Sequence, residues 1–140
     1  MKKKRLEVNF GFDFSLIGLT STIKPHKLAW ELNNALKLDL NRIPDYALEA
    51  KDGEILLFLN FLHKTDLTTI RLFKNRQMDN PASKWLLVPE YPHFDYIILA
   101  DCKEMDLTEE IVQALKNIPT IELSACLPLA TLKSKENFIF

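Results

Sequence analysis

Three histidines, two cysteines and three close pairs of carboxylates are the residues of this 140-residue chain whose types could do chemistry. A zinc site draws on clustered His, Cys and carboxylate ligands. Here His26, His63 and His93 stand ~30 residues or more apart, and Cys102 and Cys126 are isolated. No metal and no cofactor is therefore expected. A thiol nucleophile needs an electropositive setting, and Cys102 lies beside Asp101 and near Glu104, acids that blunt it. Cys126 sits in an apolar stretch and reads as core. The carboxylate pairs are Asp45 with Glu49, Asp101 with Glu104, and Glu109 with Glu110. The last pair suits the positive end of a helix, which removes the need for a chemical role. Phosphate-cradling loops are excluded, because Gly11, Gly18 and Gly53 are scattered singly. No catalytic residue is assigned.

Three other groups could recognise something. Glu90, His93 and Asp95 are close in sequence and would form a binding site if they converged. Arg71, Lys74 and Arg76, followed by Lys84-Trp85, together with the basic end Met1 to Arg5, would suit RNA. As structure, the same basic stretch would be an edge strand protected from aggregation. The chain closes on Phe138-Ile139-Phe140, three large apolar residues. That tail over 133–140 either packs on its own domain or docks on a protein partner.

These residues must be positioned by elements that periodicity marks out. Leu6, Val8 and Phe10 alternate as a strand, and Phe12 to Thr20 continues the pattern after Gly11. A helix is predicted from Pro25, with Leu28, Leu32, Ala35 and Leu36 on one face and Pro44 beyond its end. Tyr46 to Ala50 and Glu54 to Leu62 flank Asp52-Gly53 and predict a hairpin with a type I′ turn. Ile55 to Leu59 is apolar on both faces, which suits a central strand. Leu67 to Lys74, Trp85 to Val88 and Phe94 to Ala100 read as further strands, with Asn75 to Ser83 as a loop. Thr108 is the expected cap of a second helix, with Leu107 and Val112 as a staple and Pro119 past its end. Thr120 to Leu127 is the last strand. The order predicts one α+β domain over 1–140: a mixed, mostly antiparallel sheet with two helices on one face.

Composition agrees with a globular domain: 47% of residues are hydrophobic and 26% charged. A net charge of −1 counts against a surface devoted to nucleic acid. The basic start is interrupted by Glu7, Asn9 and Asp13, so it does not read as a signal segment, and no run approaches a membrane span. Two cysteines without an export signal suit reduced thiols in a cytoplasmic protein.

Val88-Pro89-Glu90-Tyr91-Pro92-His93-Phe94-Asp95-Tyr96 resembles the signature of the IPExxxVDY family of small bacterial proteins. Pro89, Glu90, Asp95 and Tyr96 match, while Val88 and Phe94 replace apolar residues by apolar ones. The Phe12-to-Gly18 segment and the Trp30-x-Leu32-Asn33-x-x-Leu36 helix look similar too. The resemblance implies a small cytosolic protein and brings no catalytic residues. Within the motif, alternation puts Phe94, Tyr96 and Ile98 on one strand face and Asp95, Ile97 and Leu99 on the other. Asp95 then needs a partner among its apolar neighbours, with Arg42, Arg71 or the backbone of the Glu90-to-His93 turn available. The leading expectation is a non-enzymatic interaction module that binds a protein partner or itself as a homodimer, through a sheet edge or the tail. The alternatives are a small enzyme or ligand-binding domain using Glu90, His93 and Asp95, and an RNA-associated accessory protein.

Overall fold

A computed structural model describes residues 14–80, 82–102 and 107–138. The strand expected over Leu6 to Phe10, the bend at Gly11 and the basic end 1–5 lie outside these residues, as do Glu104, Ile139 and Phe140. The elements run β1 (Ser15–Thr20), α1 (Pro25–Leu36), β2 (Asn41–Glu49), β3 (Ile55–Lys64), β4 (Thr68–Lys74), β5 (Tyr96–Cys102), α2 (Thr108–Lys116) and β6 (Leu123–Cys126). Two 3₁₀ turns follow, Leu129–Thr131 and Lys133–Phe138. The six strands form one sheet in the order β2-β3-β4-β5-β1-β6. Every described neighbour pair is antiparallel, so the sheet is an α+β sheet of one kind rather than mixed.

Strand alternation divides the core in two. Ile17, Leu19, Leu72, Tyr96 and Ile98 point to the side that α1 and α2 cover with Leu28, Leu32, Ile111 and Leu115. Leu16, Phe58, Phe73, Ile97 and Leu99 point to the other side. Among the described residues no α-helix lies over that side. Leu87, Val88 and Phe94 of the β4–β5 connection cover it, with Leu132 and Phe138 of the C-terminal segment. Both helices thus share one face, as expected, and irregular chain seals the other.

Local signals hold at several points. Pro25 opens α1, where its missing N–H costs nothing. Lys37 ends it in the left-handed conformation, and Leu38 N–H bonds back to Asn33 O at 3.1 Å. Asn33 then clamps the exit: its Oδ1 accepts from Leu40 N–H at 2.8 Å and its Nδ2 donates to Leu40 O at 3.3 Å. Glu109 and Glu110 occupy the first turn of α2, and Lys116 its last.

Other expectations change. Thr108 is not a cap; its hydroxyl donates to Ser15 Oγ at 2.7 Å and so ties α2 to β1. The hairpin turn is not type I′. Gly53 N–H bonds to Ala50 O, Ala50 N–H bonds to Glu54 O, and only Gly53 has positive φ, at 88°. That is the three-residue loop with a glycine bulge. Pro44 is not a helix terminator but part of β2, at a bulge between Ile43 and Tyr46. An outermost strand tolerates proline, and Asn60 Nδ2 donates to the Pro44 carbonyl at 3.1 Å. Trp85 to Val88 is not a strand. Leu87 and Val88 are fully buried, but one asparagine, described below, binds their N–H groups in place of a ladder. Cys126 is exposed on β6 rather than core. The register sets Cys102 against Thr68 on β4 and Cys126 against Ile17 on β1. Strands β5 and β6 are two spacings apart, about 9.6 Å, so the two cysteines are out of disulfide reach.

Candidate functional site

The motif loop is built on Asn75, at the end of β4. Asn75 is wholly buried. Its Nδ2 donates to Phe94 O at 2.9 Å and Tyr91 O at 3.3 Å, and its Oδ1 accepts from Val88 N–H at 2.7 Å. Its backbone bonds Asp95 O and Leu87 N–H, both at 2.9 Å. One side chain therefore fixes both ends of the segment from 87 to 95. Sequence reading placed Asn75 in a polar loop, and nothing in its neighbours marks it as a hub.

The motif's polar residues grip two separate segments: Glu90 holds the C-terminal turn, and Asp95 and Tyr96 hold the β1–α1 loop. Glu90 Oε2 accepts from Ser134 N–H at 2.9 Å and so holds the C-terminal 3₁₀ turn. Partial burial raises the Glu90 pKa, but hydrogen bonds from Ser134 and from the Glu90 and Lys133 backbones outweigh it and hold the carboxyl below its usual value. Asp95 Oδ2 accepts from Ser21 N–H at 2.9 Å, in the β1–α1 loop, and not from Arg42, Arg71 or its own turn. Arg42 instead pairs with Asp45 at 3.0 Å. Tyr96 OH donates to Ile23 O at 2.6 Å in that same loop. Burial, with the Asp95 charge adding to it, pushes the Tyr96 phenol up to about 12. His93 is exposed, its ring 4.2 Å from that of Phe94, and its carbonyl accepts from Thr20 Oγ1. Phe94 falls on the loop-covered face and Tyr96 on the helix face, because regular alternation begins only at Tyr96. Pro89 is exposed at the rim of a groove of about 540 Å³, with Glu90 beside it. Leu48, Leu56, Trp85 and Asn137 also line that groove.

The basic residues do not form one surface either. β4 is an interior strand. Arg71 alternates with Ile70 and Leu72 and so shares the loop-covered side with Phe73, while Lys74 lies over the Tyr96 ring at 4.6 Å on the helix side. Burial lowers the pKa of both cations; Tyr46 opposes the shift at Arg71, and Asp95 opposes it at Lys74. Arg76 is exposed beyond the strand end. The tail residue Phe138 is 1% exposed, its ring 5.7 Å from Phe73 and 6.4 Å from Phe14. Asn137 supports it, accepting at its carbonyl from Tyr46 OH and donating through Nδ2 to Leu87 O at 2.9 Å.

The open feature is the β2 side of the sheet. Among the described residues β2 has one strand neighbour, β3. β4 reaches only as far as Asn60, so the first half of β3 is flanked by β2 alone, and Ile55 and Leu57 are 58% and 37% exposed. The double-sided apolar run of β3 is thus one strand from the edge, not central. Gln77 Oε1 accepts from Leu57 N–H at 3.0 Å where β4 has ended. Leu57 lies opposite Ala47, so this pair points its backbone groups away from each other. The bond from Ala50 N–H to Glu54 O sets the same phase. Backbone groups of Ala47 and Glu49 therefore face outward, and sequence pattern alone carried no sign of this.

No model of a known protein family matches the chain, and no curated protein matches it. Among the described residues no helix is long and apolar enough to cross a membrane, and no cluster of three or more His, Cys, Asp or Glu residues could hold a metal ion.

Proposed function

We propose that this chain is a non-enzymatic interaction module that engages a protein through the outer edge of β2. The observation that carries this reading is the outward backbone of Ala47 and Glu49 beside the uncovered Ile55 and Leu57. An edge of this kind accepts an added strand. The motif fits the same reading as internal scaffolding, since Glu90, Asp95 and Tyr96 each bind backbone of another segment. Phe138 is committed to the chain's own core. The test compares tagged wild type with Ala47→Pro, which removes an outward N–H and no bond to β3. Both are used for capture from cells with ribonuclease present. A protein held in stoichiometric amount by wild type and lost with the variant supports the reading, provided circular dichroism of the two agrees. Identical partner sets overturn it.

A second reading places a small apolar ligand in the groove beside Trp85, whose size suits one. Trp30→Phe leaves Trp85 as the only tryptophan. A fragment library that never shifts its emission removes this alternative.

A further inference from the structure

We infer that the occupant of the β2 edge is a second copy of this chain, paired antiparallel about a twofold axis with Arg42 of each copy facing Glu49 of the other. This rests on the edge reading above and names its partner. Three independent constraints select the register.

The first is backbone direction. Bonded pairs across an antiparallel ladder must both point outward from their own sheets. Glu49 does so, as shown above. Ile43 lies opposite Asn60 and Tyr46 opposite Phe58, so β3 keeps its phase across the bulge. Arg42, opposite Phe61, therefore points outward like Glu49.

The second is side-chain face. Phe61 belongs to the helix-side core, and Ile55 shares its alternation on β3. Arg42 and Glu49 lie opposite these two residues, so both stand on the helix side. The bulge makes this so: without its extra residue, positions 42 and 49 would fall on opposite faces.

The third is charge. The register sets a cation against an acid at both ends of the pairing. The next pair inward is Ile43 with Leu48 of the second copy, apolar on the loop-covered side. Pro44, which has no N–H to give, falls near the axis. A pairing centred on Ala47 would set Asp45 against Glu49, acid on acid. One centred on Leu48 would leave Arg42 beyond the contact.

The arrangement closes on itself, as a twofold interface does. Among the described residues the last strand at the other side of the sheet is β6, which has four residues and stops before Pro128.

Sedimentation equilibrium on the full chain tests this with wild type, Glu49→Arg, Arg42→Glu and the double swap. Wild type is expected to be a dimer, and each single reversal to weaken it about tenfold or more at the two symmetric contacts. The double swap recovers a large part of the affinity, because the coupled pair is rebuilt while Asp45 loses its Arg42 partner. Glu49→Arg touches no contact within the chain described above, so its effect is read without a folding change; circular dichroism checks each variant. A wild type that is monomeric at ~100 μM, well above a micromolar Kd, overturns the inference. A dimer indifferent to both reversals overturns it too. If the chain is monomeric and Ala47→Pro still loses a captured protein, self-pairing fails while the edge reading stands.

Discussion

Gly18 lies directly beneath the ring of Phe94. A Cβ built on Gly18 would come within 2.6 Å of Phe94 Cε2, closer than side-chain carbons approach. The glycine is needed here for space, since its φ is ordinary. Gly18→Ala is expected to destabilise the fold by about 1–3 kcal/mol, the usual cost of overpacking. Urea unfolding of Gly18→Ala, and of Gly18→Ala with Phe94→Leu, checks this. The second variant should recover part of the loss, because the smaller side chain relieves the clash.

Asn75→Ala should cost more than most substitutions in the chain. It strips the partners from Val88 N–H and from the Phe94 carbonyl, both in buried surroundings. Each orphaned group costs about 1–3 kcal/mol, so a loss of about 2–6 kcal/mol is expected. Hydrogen exchange should rise first in the segment from 87 to 95. A stability close to wild type would show that the loop is held by its apolar side chains instead.

Glu90 makes an acid-sensitive tether. Its pKa is lowered in the fold, so the stability it contributes is present above its unfolded pKa and is lost as pH falls through the folded one. Glu90→Gln should therefore cost stability at pH 7, about 0.5–1 kcal/mol once screening at this exposed position is allowed for. The difference from wild type should shrink between pH 7 and an acid pH that protonates the carboxyl in the fold. Chemical denaturation at both pH values measures it.

Tyr96 gives the alkaline counterpart. Its folded pKa is raised from 10.0 to about 12, so the neutral phenol is favoured in the fold. Stability is unaffected below the unfolded pKa and falls as pH rises from there toward the folded value. The loss should be about 2 kcal/mol by pH 11.5, since each pKa unit is worth about 1.4 kcal/mol and the ring is buried in the core. Tyr96→Phe should flatten this slope, leaving the part due to Tyr46 and Lys74, and should lose the bond to Ile23 O at every lower pH. Denaturation between pH 8.5 and pH 11.5 separates the two effects, ~1.5 units either side of an ordinary phenol.

Much of the architecture was legible from local rules. The start of α1 at Pro25 follows from proline's fixed φ, and α2 follows from Ile111 and Leu115 at helical spacing with acids in its first turn. The alternation in β1 and β5 identified strands, because a period of two is a property of the strand itself. The α+β class followed from the order of these elements. What local rules could not carry was where each element lies and what it touches. Trp85 to Val88 has strand composition, yet Asn75 draws it out of the sheet, and a window of neighbours holds no record of that bond. Thr108 looks like a cap until Ser15, 93 residues away, takes its hydroxyl. The motif shows the limit most clearly. Its residue types were visible, but Glu90 reaches Ser134 across 44 positions and Asp95 reaches Ser21 across 74. Whether such groups converge on a ligand or brace separate segments depends on chain closure over those distances. The β2 edge was hidden for the same reason: which strand is outermost depends on every other pairing in the sheet, and only the folded chain makes them all.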